Sequence, residues 1–584
     1  MTMGAVSEKG RIWRLVAHHV WQRALKWVHG GPLFRWRPPS SVPARLLIAP
    51  QDLKTADATN AGDIYGGRFL FAGHLVETHG RSPFEVYGQH LDWQRALHSF
   101  EWLRDLRAAE SRVANQNARA LVDDWIRQCG SWHPVAWETA VVTRRVTMWL
   151  AHSPFILDEG ELDFYRRFMR SLAKQVRYLR KTINETRDGV ERLQTAIAIA
   201  SACISMSGQG RFARQSIRRL DQELNRQILS DGGHISRNPR AVIDILADLL
   251  PVRQAFVAQG QELPDAMLKS VDRMMPILRF FRHADGNLAH FNGMGSTPTD
   301  LVATILAYDD ARGAAPVNVP YTGYQRLTGG TSVAIVDTGK PPALLVSEDA
   351  HAGCLSFEFS SNRHRIVVNC GVSSRSNEIW RKVSRSTAAH STATIEDTSS
   401  CRFLSDTSFG NWLGTPILSG PANVPVSRED GGAGTRVTAS HDGYVQTFGV
   451  LHERDLRLSD DGSVLDGIDT FLRKGPVDPA HRFAIRFHLH PSIRANTVRS
   501  GTAALLVCSD GEAWEFDAPG VEITVEESIY LSDVYGHRRT SQIVLSGALQ
   551  EIPSIAWQFR RTATAKLSRR GTTEFDELLL PLEE

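Results

Sequence analysis

The sequence predicts an α+β protein of two domains, a helical front half over residues 1–315 and an antiparallel β-sandwich over residues 316–584. Three observations indicate this fold class. The chain of 584 residues is too long for one hydrophobic core. Apolar residues recur at steps of three and four in the front half and at steps of two in the back half. A stretch rich in proline and glycine separates the two patterns, and helices followed by strands indicate separate domains.

The front half is predicted to consist of helices. Residues 193–204 are apolar on almost every side, which indicates a helix buried within its domain. Asp231, Gly232 and Gly233 end another helix, because glycine readily adopts positive φ. The predicted helices cover residues 161–181, 193–204, 214–230, 241–256, 264–282 and 298–309. No clear strand is expected before residue 312.

A linker over residues 312–324, marked by Pro316 and Pro320, leads into the predicted β half. In residues 354–360 apolar and polar side chains alternate, which predicts a half-buried antiparallel strand. Similar strands are predicted at 364–369, 391–395, 444–450, 483–488, 503–508 and 541–545. So many short strands indicate a sandwich of two sheets rather than one open sheet.

Composition and motifs argue against several classes of function. The formal net charge is +3 and the charges are well mixed, so the concentrated basic surface that nucleic acid needs is not predicted. The slight positive excess suits an anionic small molecule or polysaccharide. The six cysteines form no C-x-x-C pair, which favours scattered buried thiols over disulfides. The chain contains no P-loop, dinucleotide fingerprint, H-E-x-x-H or G-x-S-x-G motif.

The N-terminal segment, residues 1–31, does not resemble a secretory signal, since Arg14 and Arg23 interrupt its apolar residues. One helical stripe predicts an amphipathic helix with basic flanks: Trp13, Val16, Val20 and Ala24. A helix packed on its own domain is favoured over a membrane-surface role. Without a recognisable signal peptide, a cytoplasmic location is the default expectation. No stretch is apolar enough to span a bilayer.

Tryptophan is concentrated in the first 150 residues. Flat aromatic rings can stack on sugars, although core packing is favoured for most of these residues. Trp125, Trp132 and Trp137 are the candidates for lining a sugar-binding cleft.

The candidate chemistry is centred on histidine. Several histidines lie at predicted strand ends beside small residues, where a polar cavity could form. They are His351, His390, His441 with Tyr444, His452 with Arg454, His488 and His490.

Several segments in order resemble the heparinase II/III-like family. Residues 351–358, HAGCLSFE, resemble its H-A-D-x-L-S-F-E segment, and residues 366–371 its following I-V-D-P-G strand. Residues 385–392, RSTAAHST, are similar to R-S-T-A-A-H-N-T. In the helical half, residues 227–239 resemble Q-x-L-x-D-G-G-H-F-E-R-S-P and residues 285–292 resemble D-G-x-x-P-x-F-N. The match spans roughly residues 160–550.

The resemblance implies an incomplete (α/α) toroid, a β-sandwich and a cleft between them in which uronic-acid polysaccharides undergo β-elimination. A lyase must neutralise the uronate carboxylate, remove the C5 proton and protonate the leaving O4. Tyr444 or His234 is the candidate acid or base, with His441 beside Tyr444, and Arg237 or Asn238 is the candidate for neutralising the carboxylate. The candidates for binding substrate include His452, Arg454 and the three tryptophans.

The sequence departs from the family at positions that matter for catalysis. The family's Asn-His pair falls at about Val190 and Glu191, and its tyrosine near Ala241. Asp349 stands where the family has a histidine, and Asn369 where some members have a metal-binding aspartate. No cofactor is required, but His351, His390 and Asn369 form a candidate zinc site that Cys370 or Asp349 could complete.

Two main hypotheses follow, with an acidic polysaccharide or oligosaccharide as the expected partner in both. The first is a lyase that cleaves a uronic-acid polysaccharide. The second is a non-catalytic glycan-binding or exopolysaccharide-assembly protein on the same scaffold. A hydrolase with paired carboxylates is a third possibility. Members of the family commonly act outside the cytoplasm, in contrast to the default location, and the oligomeric state is not predicted.

Overall fold

A computed structural model describes residues 8–30, 42–86, 89–308, 313–373, 378–404 and 410–563. The helices of the front half are α1 Glu8–Gly30, α2 Thr59–Tyr65, α3 Leu91–Ser99, α4 Leu103–Ala108, α5 Arg112–Gln128, α6 Thr139–Ala151, α7 Ser153–Leu157, α8 Leu162–Thr182, α9 Val190–Ser205, α10 Gly210–Gln227, α11 Pro239–Ala258, α12 Asp265–Phe280 and α13 Thr299–Ala307. In these ranges, no helix is long and apolar enough to cross a membrane.

The front half is a layered array of helices around one large apolar core. Helix α9 lies at its centre, with almost every residue from Leu193 to Ser205 buried, as its all-round apolar sequence predicts. The expectation that no strand precedes residue 312 is wrong. A short antiparallel hairpin is present, formed by β1 Arg68–Phe71 and β2 His74–Glu77.

The back half consists mainly of antiparallel strands. They are β3 Asn318–Val319, β4 Tyr324–Gly329, β5 Ser332–Asp337, β6 Phe357–Ser361, β7 His364–Val368, β8 Ala393–Ile395, β9 Arg402–Phe403, β10 Ile417–Ser419, β11 Val426–Gly431, β12 Gly434–His441, β13 Val450–Leu458, β14 Val464–Arg473, β15 Arg482–Leu489, β16 Arg494–Val498, β17 Ala503–Val507, β18 Ala513–Asp517, β19 Ile523–Tyr530, β20 Arg538–Ala548 and β21 Ser554–Ala563. Short helices α14 Glu378–Arg385, α15 Gly410–Leu413 and α16 Val445–Phe448 interrupt them.

Two large sheets pack face to face and form the predicted sandwich. One has the strand order β11-β12-β13-β14-β21-β18-β17-β16, and the other has the order β19-β20-β15-β7-β6-β5-β4-β3 with β8 beside β15. Their facing aromatic side chains fill the core, where Phe357 of β6 stacks on Trp557 of β21 at 5.6 Å between ring centroids. Residues 444–450, predicted as a strand, instead form α16 followed by the start of β13.

The strand predicted within residues 354–360 is present as β6, but the expectation that it is half-buried is wrong, because its polar face does not meet solvent. Glu358 is fully buried and accepts the backbone N–H groups of His290 and Asn369 at 3.0 and 2.9 Å. His283 Nε2 donates to the same carboxylate at 3.1 Å. The polar face of this strand therefore packs against a loop of the helical half and joins the two domains.

The six cysteines are all free and buried, as the sequence predicts. Burial raises the pKa of the Cys370 thiol to about 12, which keeps it protonated. These thiols therefore act as packing residues.

Candidate functional site

A polar cleft of about 300 Å³ lies between the helical half and the sandwich. The helical half contributes Arg187, Asp188, Gly189, Val190, Glu191, Ser236, Asn238, Arg240, Ala241, Asp244, Asn292 and Gly293. The β half contributes Val346, Asp349, Ala350, His351, Val372, Arg381, Ser384 and Arg385. Of the residues that the sequence singles out for catalysis or metal binding, Asn238, His351 and Asp349 line this cleft.

Helix capping and close backbone packing position the amides of the cleft. Asn238 is the N-cap of α11, and its Oδ1 accepts the N–H of Arg240 at 2.8 Å. Asn292 Oδ1 accepts the backbone N–H of His351 at 3.1 Å and so ties the helical side to the β side. Gly293 has φ +93°, and a side chain there would meet the carbonyl oxygen of Asp349 at 2.8 Å.

His351 and His390 form a hydrogen-bonded pair whose geometry fixes both tautomers. His390 Nδ1 donates to the carbonyl oxygen of Ser386 at 2.7 Å, and burial lowers the pKa of His390 to about 4. In neutral His390, Nε2 is therefore an acceptor, and it receives the Nδ1 proton of His351 at 3.0 Å. Burial, together with His390 and Arg385, lowers the pKa of His351. His351 is therefore neutral, and its Nε2 carries no proton and can accept one.

Arg385 places a buried cation next to His351. Its guanidinium donates to the carbonyl oxygens of Ala350 and Ser347 at 2.8 and 3.1 Å and to the hydroxyl of Thr415 at 2.6 Å. Among the residues that the structure describes, no carboxylate forms an ion pair with it. Burial lowers its pKa to about 10, so it remains charged at neutral pH. Such a cation is a site for an incoming anion.

Asp349 bridges two arginines from opposite sides of the cleft. Arg187 of the helical half contacts it at 2.9 Å, and Arg381 of α14 contacts its other oxygen at 2.7 Å. Arg187 also lies 3.4 Å from Glu348 and 3.7 Å from Glu191. Burial alone would raise the pKa of Asp349, but the two arginines lower it. Both arginines are therefore already paired.

His234 and Arg237 lie behind the cleft and are held by protein groups. His234 Nε2 donates to Gln227 Oε1 at 2.9 Å, its Nδ1 accepts from Ser236, and burial lowers its pKa to about 3. Arg237 pairs with Asp337 and donates to four backbone carbonyl oxygens of the β half, at residues 322, 323, 339 and 340. Neither residue lines the cleft: protein groups hold both ring nitrogens of His234, and Arg237 joins the domains instead of meeting a uronate.

Tyr444, His441, His452 and Arg454 lie inside the sandwich, away from the cleft. The Tyr444 hydroxyl donates to the carbonyl oxygen of Ala393 at 2.9 Å, and burial raises its pKa far above its ordinary value. The other three form a buried network that ends at Asp469. None of the four lines the cleft, so the predicted catalytic and substrate-binding roles do not fit their positions.

The three tryptophans belong to the helical core. Trp125 is fully buried and its Nε1 donates to His98 at 3.2 Å. Trp137 donates to the carbonyl oxygen of Cys129 at 2.8 Å, and Trp132 stacks on Trp137. The core-packing alternative holds for them, and no sugar-stacking surface is formed at the cleft by these three residues.

Comparison with known sequences identifies the family. Residues 80–306 match the heparinase II/III N-terminus, and residues 311–558 match the heparinase II/III-like C-terminal domain. The chain belongs to the heparinase II/III-like family. A curated relative is FtsZ-localized protein C from Caulobacter vibrioides, 29% identical over 93% of this chain and 94% of that protein.

Solved structures of the heparinase II/III-like type share the fold. Heparinase III superposes with a TM-score of 0.69 at 14% identity, covering 96% of this chain and 92% of that one. A mutant of the heparan sulfate lyase HepC from Pedobacter heparinus gives a TM-score of 0.64 at 14% identity, covering 96% and 89%. The (α/α) toroid followed by a β-sandwich is therefore confirmed as the fold class.

The departures from the heparinase II/III-like motifs lie in the cleft itself, except for Asn369. Val190, Glu191, Ala241 and Asp349 all line it. Sequence reasoning gave no role to Arg187, Arg381, Arg385 and Asn292, although Asn292 and Arg385 stand inside the matched motifs. The motif match could therefore have indicated Asn292 and Arg385 as candidate site residues. Nothing in the sequence indicates that Arg187 and Arg381 meet at Asp349.

The candidate zinc ligands do not fit a metal. His351 and His390 hydrogen-bond to each other, and Asn369 Oδ1 accepts the N–H of Ser391 at 3.0 Å. Over the described ranges, no group of three His, Cys, Asp or Glu side chains is placed to hold a metal ion. No chemical step is therefore derived through zinc.

Proposed function

We propose that the protein is a polysaccharide lyase that cleaves an acidic, uronic-acid-containing polysaccharide in the cleft. The observation that supports this proposal is the unprotonated Nε2 of His351 beside Arg385, a buried cation without a carboxylate partner in the described structure. The names of the structural neighbours, heparinase III and heparan sulfate lyase, agree with a substrate of this class.

The proposed reaction assigns each step to a group at the cleft. Arg385 and the Asn238 amide neutralise the uronate carboxylate, which makes the C5 proton removable. His351 Nε2 takes that proton, a C4–C5 double bond forms and the C4–O4 bond breaks. The leaving O4 takes up a proton from the resulting imidazolium or from water. His390 acts through His351, because its hydrogen bond orients the imidazole.

A second candidate is glycan binding without turnover. The bridge from Arg187 through Asp349 to Arg381 favours it, because an acid replaces the family's histidine and already occupies two cations. The name of the Caulobacter relative also favours it, since that name reports localisation with FtsZ and not lyase activity.

One experiment separates the two candidates. The purified protein is incubated with a panel of uronic-acid polysaccharides, and glycan binding and the ultraviolet absorbance of unsaturated uronate are measured. For a lyase, His351→Gln should lower the rate about 100-fold or more. His90→Gln, an exposed histidine outside the cleft, should leave it unchanged. Binding without new absorbance would favour the second candidate, and neither signal across the panel would contradict both.

A further inference from the structure

Helix α1 has two faces with different surroundings. One face is docked on the β half, where Leu15 packs against Leu404, Leu413 and Leu418. Glu8 pairs with Arg402 at 2.7 Å and accepts from Ser419 at 2.8 Å. This docking fixes which side of the helix points outwards.

The opposite face of α1 is exposed and apolar. Trp13 is 70% exposed, Val20 52% and Trp21 63%, and the small Ala17 and Ala24 are exposed between and beyond them. These positions follow the spacing of one helical face over about 16 Å. Two tryptophans exposed to this degree on one face form an apolar stripe that water solvates poorly.

Basic residues flank the stripe. Lys9, Arg14 and Arg23 are exposed along it. The only acidic residue of the helix sequence is Glu8, and it is paired with Arg402. An apolar stripe containing tryptophan and bordered by Lys and Arg has the composition of a helix that lies in the interface of an anionic membrane. A protein partner is favoured less, because the exposed charged residues that border the stripe in the described part of the helix are all basic, unlike the mixed polar rim of a protein interface.

We propose that α1 docks the protein on an anionic lipid surface, with the Trp13–Trp21 stripe at the headgroup level and the opposite face holding the folded body. His18 of the same helix lies close enough to Arg192 and Asp188 of the helical half to interact electrostatically with both. Asp188 lines the cleft. Docking through α1 therefore holds the cleft close to the lipid surface. The proposal does not depend on whether the cleft catalyses a reaction.

Co-sedimentation of the full-length protein with vesicles tests the proposal. Vesicles of phosphatidylglycerol and phosphatidylcholine are compared with vesicles of phosphatidylcholine alone. Wild-type protein should sediment with the anionic vesicles, and less so as salt increases. The double variant Trp13→Ala/Trp21→Ala should partition about tenfold or more weakly, since binding scales with the apolar area buried. Lys9→Glu/Arg14→Glu should lose the preference for anionic lipid.

The matched control is Val534→Ala/Tyr535→Ala, which removes an equally exposed apolar pair from a loop of the β half. It should bind vesicles as wild type does, and circular dichroism should show the same fold for every variant. Absence of wild-type binding to anionic vesicles would overturn the proposal, as would binding that survives the loss of both tryptophans. Self-association that depends on the two tryptophans, without vesicle binding, would instead identify a second copy as the occupant.

Discussion

The cleft and the polar network inside the sandwich are built from the same residue types but have different surroundings. In the network, His441 donates to His452, His452 donates to Asp469, and Arg454 makes two hydrogen bonds to Asp469 at 2.8 and 2.9 Å. Trp557 Nε1 donates to the same carboxylate at 2.8 Å. Every charge in this network is paired and excluded from water.

In the cleft, the charges are only partly paired. Arg385 donates to neutral oxygens, and the Nδ1 of His351 donates to His390 while its Nε2 carries no proton. A histidine and an arginine are therefore buried together in both places. Whether that group can meet a ligand depends on packing between distant segments.

The largest expected effect comes from breaking the network. Arg454→Ala leaves Asp469 as a buried charge without its main partner, which typically costs about 3–5 kcal/mol. Chemical denaturation should show this loss in the free energy of unfolding. The matched control is Arg436→Ala in the same sheet, where the half-exposed Arg436 pairs with Asp455 and the expected loss is under about 1 kcal/mol. Equal free energies of unfolding for the two variants would contradict the expectation that the buried network contributes more to stability than the exposed ion pair.

The acid dependence of stability should be set by buried neutral histidines. Burial lowers the pKa of His234 and of His488 to about 3. Between about pH 6.5 and 3, the unfolded chain binds protons that the folded protein does not. Each such histidine therefore makes the free energy of unfolding fall by about 1.4 kcal/mol per pH unit as the pH drops below 6.5.

Unfolding curves at pH 7, 6 and 5 measure this slope. His488→Gln should make the slope shallower by up to about 1.4 kcal/mol per pH unit, which corresponds to one proton. The matched control is the same substitution at an exposed histidine, His90→Gln. A stability that stays constant from pH 7 to 5 would show that these histidines are not neutral and buried in solution.

Much of the fold followed from sequence periodicity. The buried helix α9 and the alternation of β6 are local patterns, and both appear in the structure. The hairpin of β1 and β2 was missed because its strands have four residues each, too short for a clear period. Residues 445–448 form a helical turn next to Tyr444, whose hydroxyl donates to the carbonyl oxygen of Ala393, a tertiary contact that local propensity does not contain.

The site was predicted less well than the fold, for a physical reason. By residue type alone, Tyr444 and Asn238 are equally plausible as site residues. In the structure, the Tyr444 hydroxyl lies in the sandwich core, whereas the Asn238 amide lines the cleft. Their difference arises from the docking of the two domains. The bridge at Asp349 joins Arg187 and Arg381, which are 194 residues apart in sequence, so only the folded chain reveals it.

An intermediate effect is expected at Arg385. Arg385→Met removes the buried cation, and affinity for a uronic-acid oligosaccharide should fall about tenfold or more, as for loss of a charge-assisted hydrogen bond. Lys382→Met, an exposed cation on the same helix α14 that does not line the cleft, is the matched control and should change affinity less than twofold. Isothermal titration measures both, and equal losses would assign the effect to net charge alone.

The smallest effect is expected at Asp349, and its direction is informative. Asp349→Asn preserves the shape of the side chain but removes the charge that pairs Arg187 with Arg381. Both arginines are about half exposed, so the loss of stability should stay under about 1 kcal/mol. Arg381 then loses its ion pair, and Arg187 keeps only its longer contacts with Glu348 and Glu191. The binding of an acidic oligosaccharide should therefore strengthen by roughly two- to tenfold, with a steeper dependence on salt. A fall in affinity would instead mean that Asp349 itself contacts the glycan. In that case the part of the cleft around Asp349 recognises a polar group of the sugar rather than its carboxylate.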